Sequence, residues 1–140
     1  MKKKTKEETK FSEKWRPHLE KYGFTPISNI FLELYPFLNL KTQEVLFIIH
    51  CFKYKWTVNH PYPSFNTLAR EMGKNRNTIQ GYARTLERKG FLKRINRTGL
   101  SSKIDLSPLI EKLERIAPYQ NPNRGDVKKM IKLYLNIDTK

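Results

Sequence analysis

At 140 residues, 38% of them hydrophobic and 12% aromatic, the chain is the size of one domain and can bury a core, which excludes wholesale disorder. Its 28 Lys and Arg outnumber 13 Asp and Glu, a formal charge of +15, and a surface that basic attracts polyanions such as nucleic acid or anionic membrane. A single cysteine, Cys51, excludes an internal disulfide, no apolar run reaches the length of a membrane span, and the N-terminus lacks the apolar segment of a signal peptide, so a soluble cytoplasmic protein is expected.

In chain order, MKKKTKEETKFSEK (1–14) reads as a basic mobile arm or a frayed helix. Residues 15–39 form a helical extension broken by Pro17, Pro26 and Pro36, with a short helix over 28–35 whose stripe is Ile30, Phe31, Leu34 and Tyr35. Asn39 or a neighbour caps a longer helix over 40–55. Its positions Val45, Leu46, Ile48, Ile49 and Phe52 make one wide apolar face, as a central core helix requires. TVNHPYPS is punctuated by two prolines and reads as a loop or a very short strand, with Tyr62 as its apolar member. Ser64 caps a helix over 65–72 with Leu68, Ala69 and Met72 inward, and Gly73 supplies a turn. Asn75 caps a second helix that runs to Lys89 and ends at Gly90.

After Gly90 the period changes from helical to alternating. Residues 91–95 and 103–106 are strand candidates joined by the basic, acid-free tip NRTGLSS, a hairpin. Ser107 and Pro108 open a helix through Ile116 with Leu109, Ile110, Leu113 and Ile116 on one side. APYQNPNRG is a loop, and a last helix over 127–136 carries Val127, Met130, Ile131, Tyr134 and Leu135.

The charge is concentrated where the second capped helix lies. Between Arg70 and Lys103 ten basic residues meet two acids, Glu71 and Glu87, for a net +8; the first sixteen residues add +4. One face of that helix is core: Ile79, Tyr82, Ala83 and Leu86. Another carries Asn77, Gln80, Gly81, Arg84 and Arg88 with no acid among them. A solvated face would also be polar, but two capped helices, a glycine turn and a basic hairpin directly afterwards are a narrower combination. An α-helix fits the major groove of DNA, where Asn and Gln match adenine, Arg matches guanine and Thr can meet a thymine methyl. Asn75, Arg76, Asn77 and Thr78 occupy the N-terminal turn, the end that usually points at bases. Ser64 opens a helix whose N-terminus can face a phosphate.

The segment 63–94 resembles a bacterial winged helix-turn-helix. PSFNTLAREMG is similar to its first helix and NRNTIQGYARTLERKGFLKR to its recognition helix and first wing strand. The Pro-Ser opening and the Leu-Glu-x-x-Gly-hydrophobic close are shared with GntR-type regulators. The wing exit SSKIDLSPLIEKLE and the upstream GFTPISNIFLEL are more similar to plasmid and phage replication initiators and replisome organisers. This resemblance spans 23–114. It implies that Asn75, Arg76, Asn77, Thr78, Gln80 and Arg84 face the major groove, with Arg88 and Lys89 nearer the backbone. Arg97, Thr98, Ser101 and Lys103 of the wing would contact phosphates or the minor groove. It implies no cofactor.

Other chemistry finds little support. His50 and Cys51 are adjacent and diverge on a helix, and His18 and His60 sit beside prolines, so no metal site is expected. Cys51 in an apolar run is a poor nucleophile, and Gly73-Lys74 lacks the upstream glycine of a phosphate loop. No enzyme and no small-molecule ligand are expected.

The expected fold is α+β and mostly helical: a basic arm (1–14), a helical extension (15–39), a winged helix-turn-helix (40–106) and C-terminal helices (107–140). The expected function is sequence-specific binding of double-stranded DNA in replication initiation or maintenance of a plasmid or phage. Alternatives are a small transcriptional regulator and a winged helix that docks a protein. A homodimer is expected, through the aromatic-rich segment before the core helix or the Met130, Tyr134 and Leu135 edge of the last one.

Overall fold

The structure, a computed structural model, describes residues 6–54, 63–97, 100–117 and 124–137. Most of TVNHPYPS, with Tyr62, and the loop 118–123 lie outside the described residues, as does Thr98.

The segment expected as a mobile arm or a frayed helix is helical from Lys6, in α1 (Lys6–Glu20). The helix is interrupted at Arg16, whose φ of 64° and ψ of 157° are not helical. Pro17 explains the position of the break, because proline drives the residue before it out of the right-handed helical region. Residues 13–19 are all exposed, and Trp15 rests edge-on against Phe24 with ring centres 5.7 Å apart. α2 (Asn29–Leu34) buries Phe31 and Leu34 and runs into a 3-10 turn, Tyr35–Phe37, built on Pro36.

α3 (Thr42–Phe52) is shorter than the helix expected over 40–55. Asn39 does not cap it: its φ of 59° turns the chain in the left-handed region. Lys41 takes the cap position in extended conformation, and its N–H donates to the Glu44 carboxylate at 2.8 Å. The buried stripe is also rotated from the expected one. Phe47, Ile48 and Cys51 are buried with Val45, while Leu46 is 47% exposed and Ile49 and Phe52 are half-buried. The rotation arises because α3 is gripped from two sides. Phe52 packs edge-on against Phe31 of α2 at 5.8 Å, and Phe47 against Tyr82 at 6.3 Å.

α4 (Phe65–Met72) and α5 (Arg76–Arg88) follow as expected. Ser64 Oγ accepts the Thr67 N–H at 3.1 Å, and Asn75 Oδ1 accepts the Thr78 N–H at 2.8 Å, so each helix begins on a side-chain cap. Gly73, at φ 64°, closes α4 in the left-handed region, where residues with a Cβ are strained, and the Lys74 N–H donates back to the Ala69 carbonyl at 2.9 Å. Phe65, Leu68 and Ala69 of α4 and Ile79, Ala83 and Leu86 of α5 close the core against α3.

The hairpin begins later and reaches further than expected. β1 (Lys93–Arg97) pairs antiparallel with β2 (Leu100–Asp105) in the register Lys93↔Asp105, Arg94↔Ile104 and Ile95↔Lys103, with an irregularity before Arg97↔Leu100. Phe91 and Leu92 are not strand residues. The Phe91 N–H donates to Leu86 O at 2.9 Å and the Phe91 carbonyl accepts from Leu109 N at 3.1 Å, so this backbone is already used and both side chains drop into the core.

α6 (Ser107–Ile116) starts where Asp105 Oδ1 accepts both the N–H and the hydroxyl of Ser107, at 2.9 and 2.6 Å. Leu109, Leu113 and Ile116 are buried, but Ile110 is on the exposed side. α7 (Arg124–Leu135) begins three residues before the expected Val127. It packs on α6 and on the 3-10 turn with Val127, Ile131 and Leu135 buried, so Leu135 belongs to the core rather than to a free edge, and Leu133 is exposed. The architecture is a winged helix-turn-helix, α3 to β2, with helices added at both ends. No helix among the described residues is long and apolar enough to cross a membrane.

Candidate nucleic-acid interface

α5 turns through about 100° per residue, so positions spaced by three and four share a face. Ile79, Ala83 and Leu86 have no exposed surface, which fixes the rotation of the helix about its axis. Asn77, Gly81, Arg84 and Arg88 fall on the opposite side; Asn77, Arg84 and Arg88 are exposed and Gly81 is half-buried. Arg76 is exposed in the first turn, and Gln80 and Thr78 are half-buried on its flanks. The core therefore holds a row of amide, glycine and two arginines outward.

Both acids of this basic stretch are occupied within the fold. Glu87 accepts from Arg94 Nε at 3.2 Å, Arg94 Nη2 at 3.0 Å and the Arg94 N–H at 3.0 Å. These hydrogen bonds hold the Glu87 carboxyl below the usual carboxylate value and tie the first wing strand to α5. Glu71 on α4 accepts from Lys53 Nζ at 3.0 Å and from the Tyr54 hydroxyl, and lies 3.4 Å from His50 Nδ1. Among the described ion pairs none involves Arg76, Arg84 or Arg88. The outward arginines thus keep their charge available to an external anion.

The expected contact residues separate into groups. Arg76, Asn77, Arg84 and Arg88 are brought together on exposed α5 surface. Ser64 and Asn75 stand at the starts of α4 and α5, with their side-chain oxygens engaged in the caps. Lys89 is turned inward instead: its ammonium donates to Glu44 at 2.8 and 3.3 Å and to the Asn39 carbonyl at 2.8 Å. It clamps the end of α5 onto the start of α3 and is not grouped with Arg88. Lys103 is half-buried on β2, opposite Ile95. Arg97 and Ser101 lie in the wing strands, and their side chains, with all of Thr98, lie outside the described residues.

Two basic residues outside the expected contact set also stand exposed beside the turn, Arg70 on α4 and Lys74 after Gly73. Their signal in the sequence is spacing, since Arg70 lies off the Leu68–Ala69–Met72 side of its helix. Cys51, by contrast, is buried in the core. Its burial and then the nearby Glu71 charge push the thiol up, which keeps it protonated and unreactive.

A short, capped α4, a glycine turn and a capped α5 whose outer face is basic form the arrangement in which a second helix is presented to a DNA groove. No curated protein matches the chain. Residues 38–92, which hold α3, α4 and α5 and end where the wing begins, match the family model of a helix-turn-helix domain.

Proposed function

We propose that this chain binds double-stranded DNA with sequence preference, α5 lying in the major groove and the wing beside it. The observation that carries the reading is the outward row Asn77, Arg84 and Arg88, exposed, without an acid partner among the described residues, and opposite a fully buried face. Asn77 and Arg76 near the α5 N-terminus are suited to base edges, while Arg84 and Arg88 further along, with Arg70 and Lys74 at the turn, are suited to phosphates. The positive end of the α5 dipole adds to the attraction.

We further propose that the DNA is a replication site of a plasmid or phage. The support is the resemblance of GFTPISNIFLEL and SSKIDLSPLIEKLE to replication initiators, segments that form the approach to α2 and the exit from the wing into α6. Two copies on paired half-sites would multiply affinity. The exposed Leu133 on α7 and the exposed residues 13–19 of α1 are the surfaces this homodimer would use. Sedimentation of the protein with and without duplex tests the dimer; one copy per duplex under all conditions would remove it.

The experiment for the function is to capture fragments of chromosomal and plasmid DNA with the protein and sequence what is retained. Repeated sites beside a replication gene are expected. A single promoter site would make the protein a regulator, and uniform retention would mean that it does not read bases.

A further inference from the structure

Glycine destabilises a helix interior relative to alanine, so a helix keeps one for a reason. Two reasons come from the fold: a positive φ, or a neighbour that leaves no room for a Cβ. Gly73 and Gly90 have the first, at φ 64° and 84°. Gly81 has neither. It lies within α5 in helical conformation, and a Cβ built on it meets no atom within 4 Å beyond its chain neighbours and its own helix backbone. Nothing among the described residues calls for the missing side chain.

The reason then lies outside the molecule, and the neighbours of Gly81 say what it faces. It shares the outward row with Asn77, Arg84 and Arg88. A second copy of the chain packed on this row about a two-fold axis would set arginine against arginine, whereas a polyanion meets both arginines favourably. Along the row the side chains run from the short amide of Asn77, through none at Gly81, to the long guanidinium arms of Arg84 and Arg88. A helix with its side chains is about 10–12 Å across and the major groove about 12 Å wide, so any atom added to the inserted side moves the axis outward. A short amide near the leading end reaches base edges only if the axis comes in close.

We propose that Gly81 is a specificity-determining position, the point where DNA meets the α5 backbone. Its bare backbone lets the helix seat deeply enough for Asn77 to read a base, while Arg84 and Arg88 span the remaining distance to phosphates. This inference rests on the DNA-binding reading above. Loosely docked, non-specific complexes do not need the close approach, so a side chain at this position acts on discrimination more than on general affinity.

The test uses the full chain, a duplex selected by the wild-type protein from a random-sequence pool, and a scrambled duplex of equal length. Thermal melting and binding by fluorescence anisotropy are measured for the wild type, Gly81→Ala and Gly81→Leu. Gly81→Ala is expected to melt at higher temperature than the wild type yet bind the selected duplex about tenfold more weakly. Gly81→Leu is expected to bind it more weakly still, and binding to the scrambled duplex is expected to change little in either variant. Unchanged affinity of Gly81→Ala for the selected duplex overturns the proposal. Equal losses on both duplexes overturn it too, as does a change in oligomeric state that accounts for the loss. A wild type that selects no sequence from the pool overturns the DNA-reading proposal itself, a result distinct from the failure of Gly81 alone.

Discussion

Arg88 and Lys89 are adjacent and carry the same charge, yet their surroundings give them different work. Arg88 is exposed on the outward row, while the Lys89 ammonium sits on the Glu44 carboxylate, whose side chain is only 3% exposed. Lys89→Ala leaves Glu44 with the Lys41 N–H but without its counter-ion, and a buried charge so stripped costs about 3 kcal/mol of stability. Arg88→Ala is expected to change stability by less than about 0.5 kcal/mol and to weaken DNA binding instead. Urea denaturation of the two variants, read beside their affinities, checks the division. Glu71 gives a second contrast, in acid. Burial pushes its carboxyl up, but the hydrogen bonds from Tyr54 and Lys53, the Lys53 charge and the His50 contact outweigh that and hold it below the usual carboxylate value. A carboxyl that titrates lower when folded stabilises the fold above its unfolded value, and that contribution is lost as the pH falls through the folded one. Glu71→Gln is therefore expected to flatten the fall in urea midpoint below about pH 5; an unchanged acid limb would show that the Glu71 cluster does not set it.

The elements whose ends are set by local rules are legible in the sequence. α4 and α5 begin on Ser64 and Asn75 and end at Gly73 and beside Gly90, because a cap or a left-handed turn needs only a few neighbouring residues. The ends that local rules misplace depend on distant partners. The hairpin starts at Lys93 and not Phe91 because Leu86 and Leu109 have already taken the Phe91 backbone groups. The stripe of α3 turns toward Phe47 because helices press on it from both sides, and the spacing of apolar residues in one segment cannot report that. The same limit applies to the interface. The outward row of α5 is readable from its lack of acids, but the inward turn of Lys89 depends on Glu44, far upstream in the chain. The caps also separate folding from binding. Asn and Asp cap helices about equally well, and an acid is favourable at a helix N-terminus, so Asn75→Asp is expected to keep stability within about 0.5 kcal/mol. Beside phosphates the same new charge is repulsive, and its DNA affinity is expected to fall. Asn75→Ala is expected to lose about 1 kcal/mol of stability, because the Thr78 N–H loses its acceptor. Urea midpoints and duplex titrations of the two variants distinguish these effects, and a stable Asn75→Asp with undiminished affinity would place the α5 N-terminus away from DNA.

Across the whole chain the charge of +15 reports an attraction to polyanions without saying where it acts. The fold supplies the location by a division of partners. Glu87 and Glu71 pair with Arg94 and Lys53 inside the structure, Glu44 pairs with Lys89, and the three α5 arginines, Arg76 in the first turn and Arg84 and Arg88 on the outer face, are left without acids among the described ion pairs. Apolar burial on one side of that helix and available positive charge on the other are thus two results of one packing arrangement. Neutralising phosphates releases counterions, and each phosphate contact adds to the steepness with which affinity falls as salt rises. The most direct test of the account is the salt dependence of duplex binding between about 50 and 200 mM salt, for the wild type and for Arg84→Ala with Arg88→Ala. A steep loss is expected for the wild type and a logarithmic slope smaller by about two in the double variant, about one for each lost phosphate contact. A flat response in the wild type, or the same slope in both proteins, would contradict it.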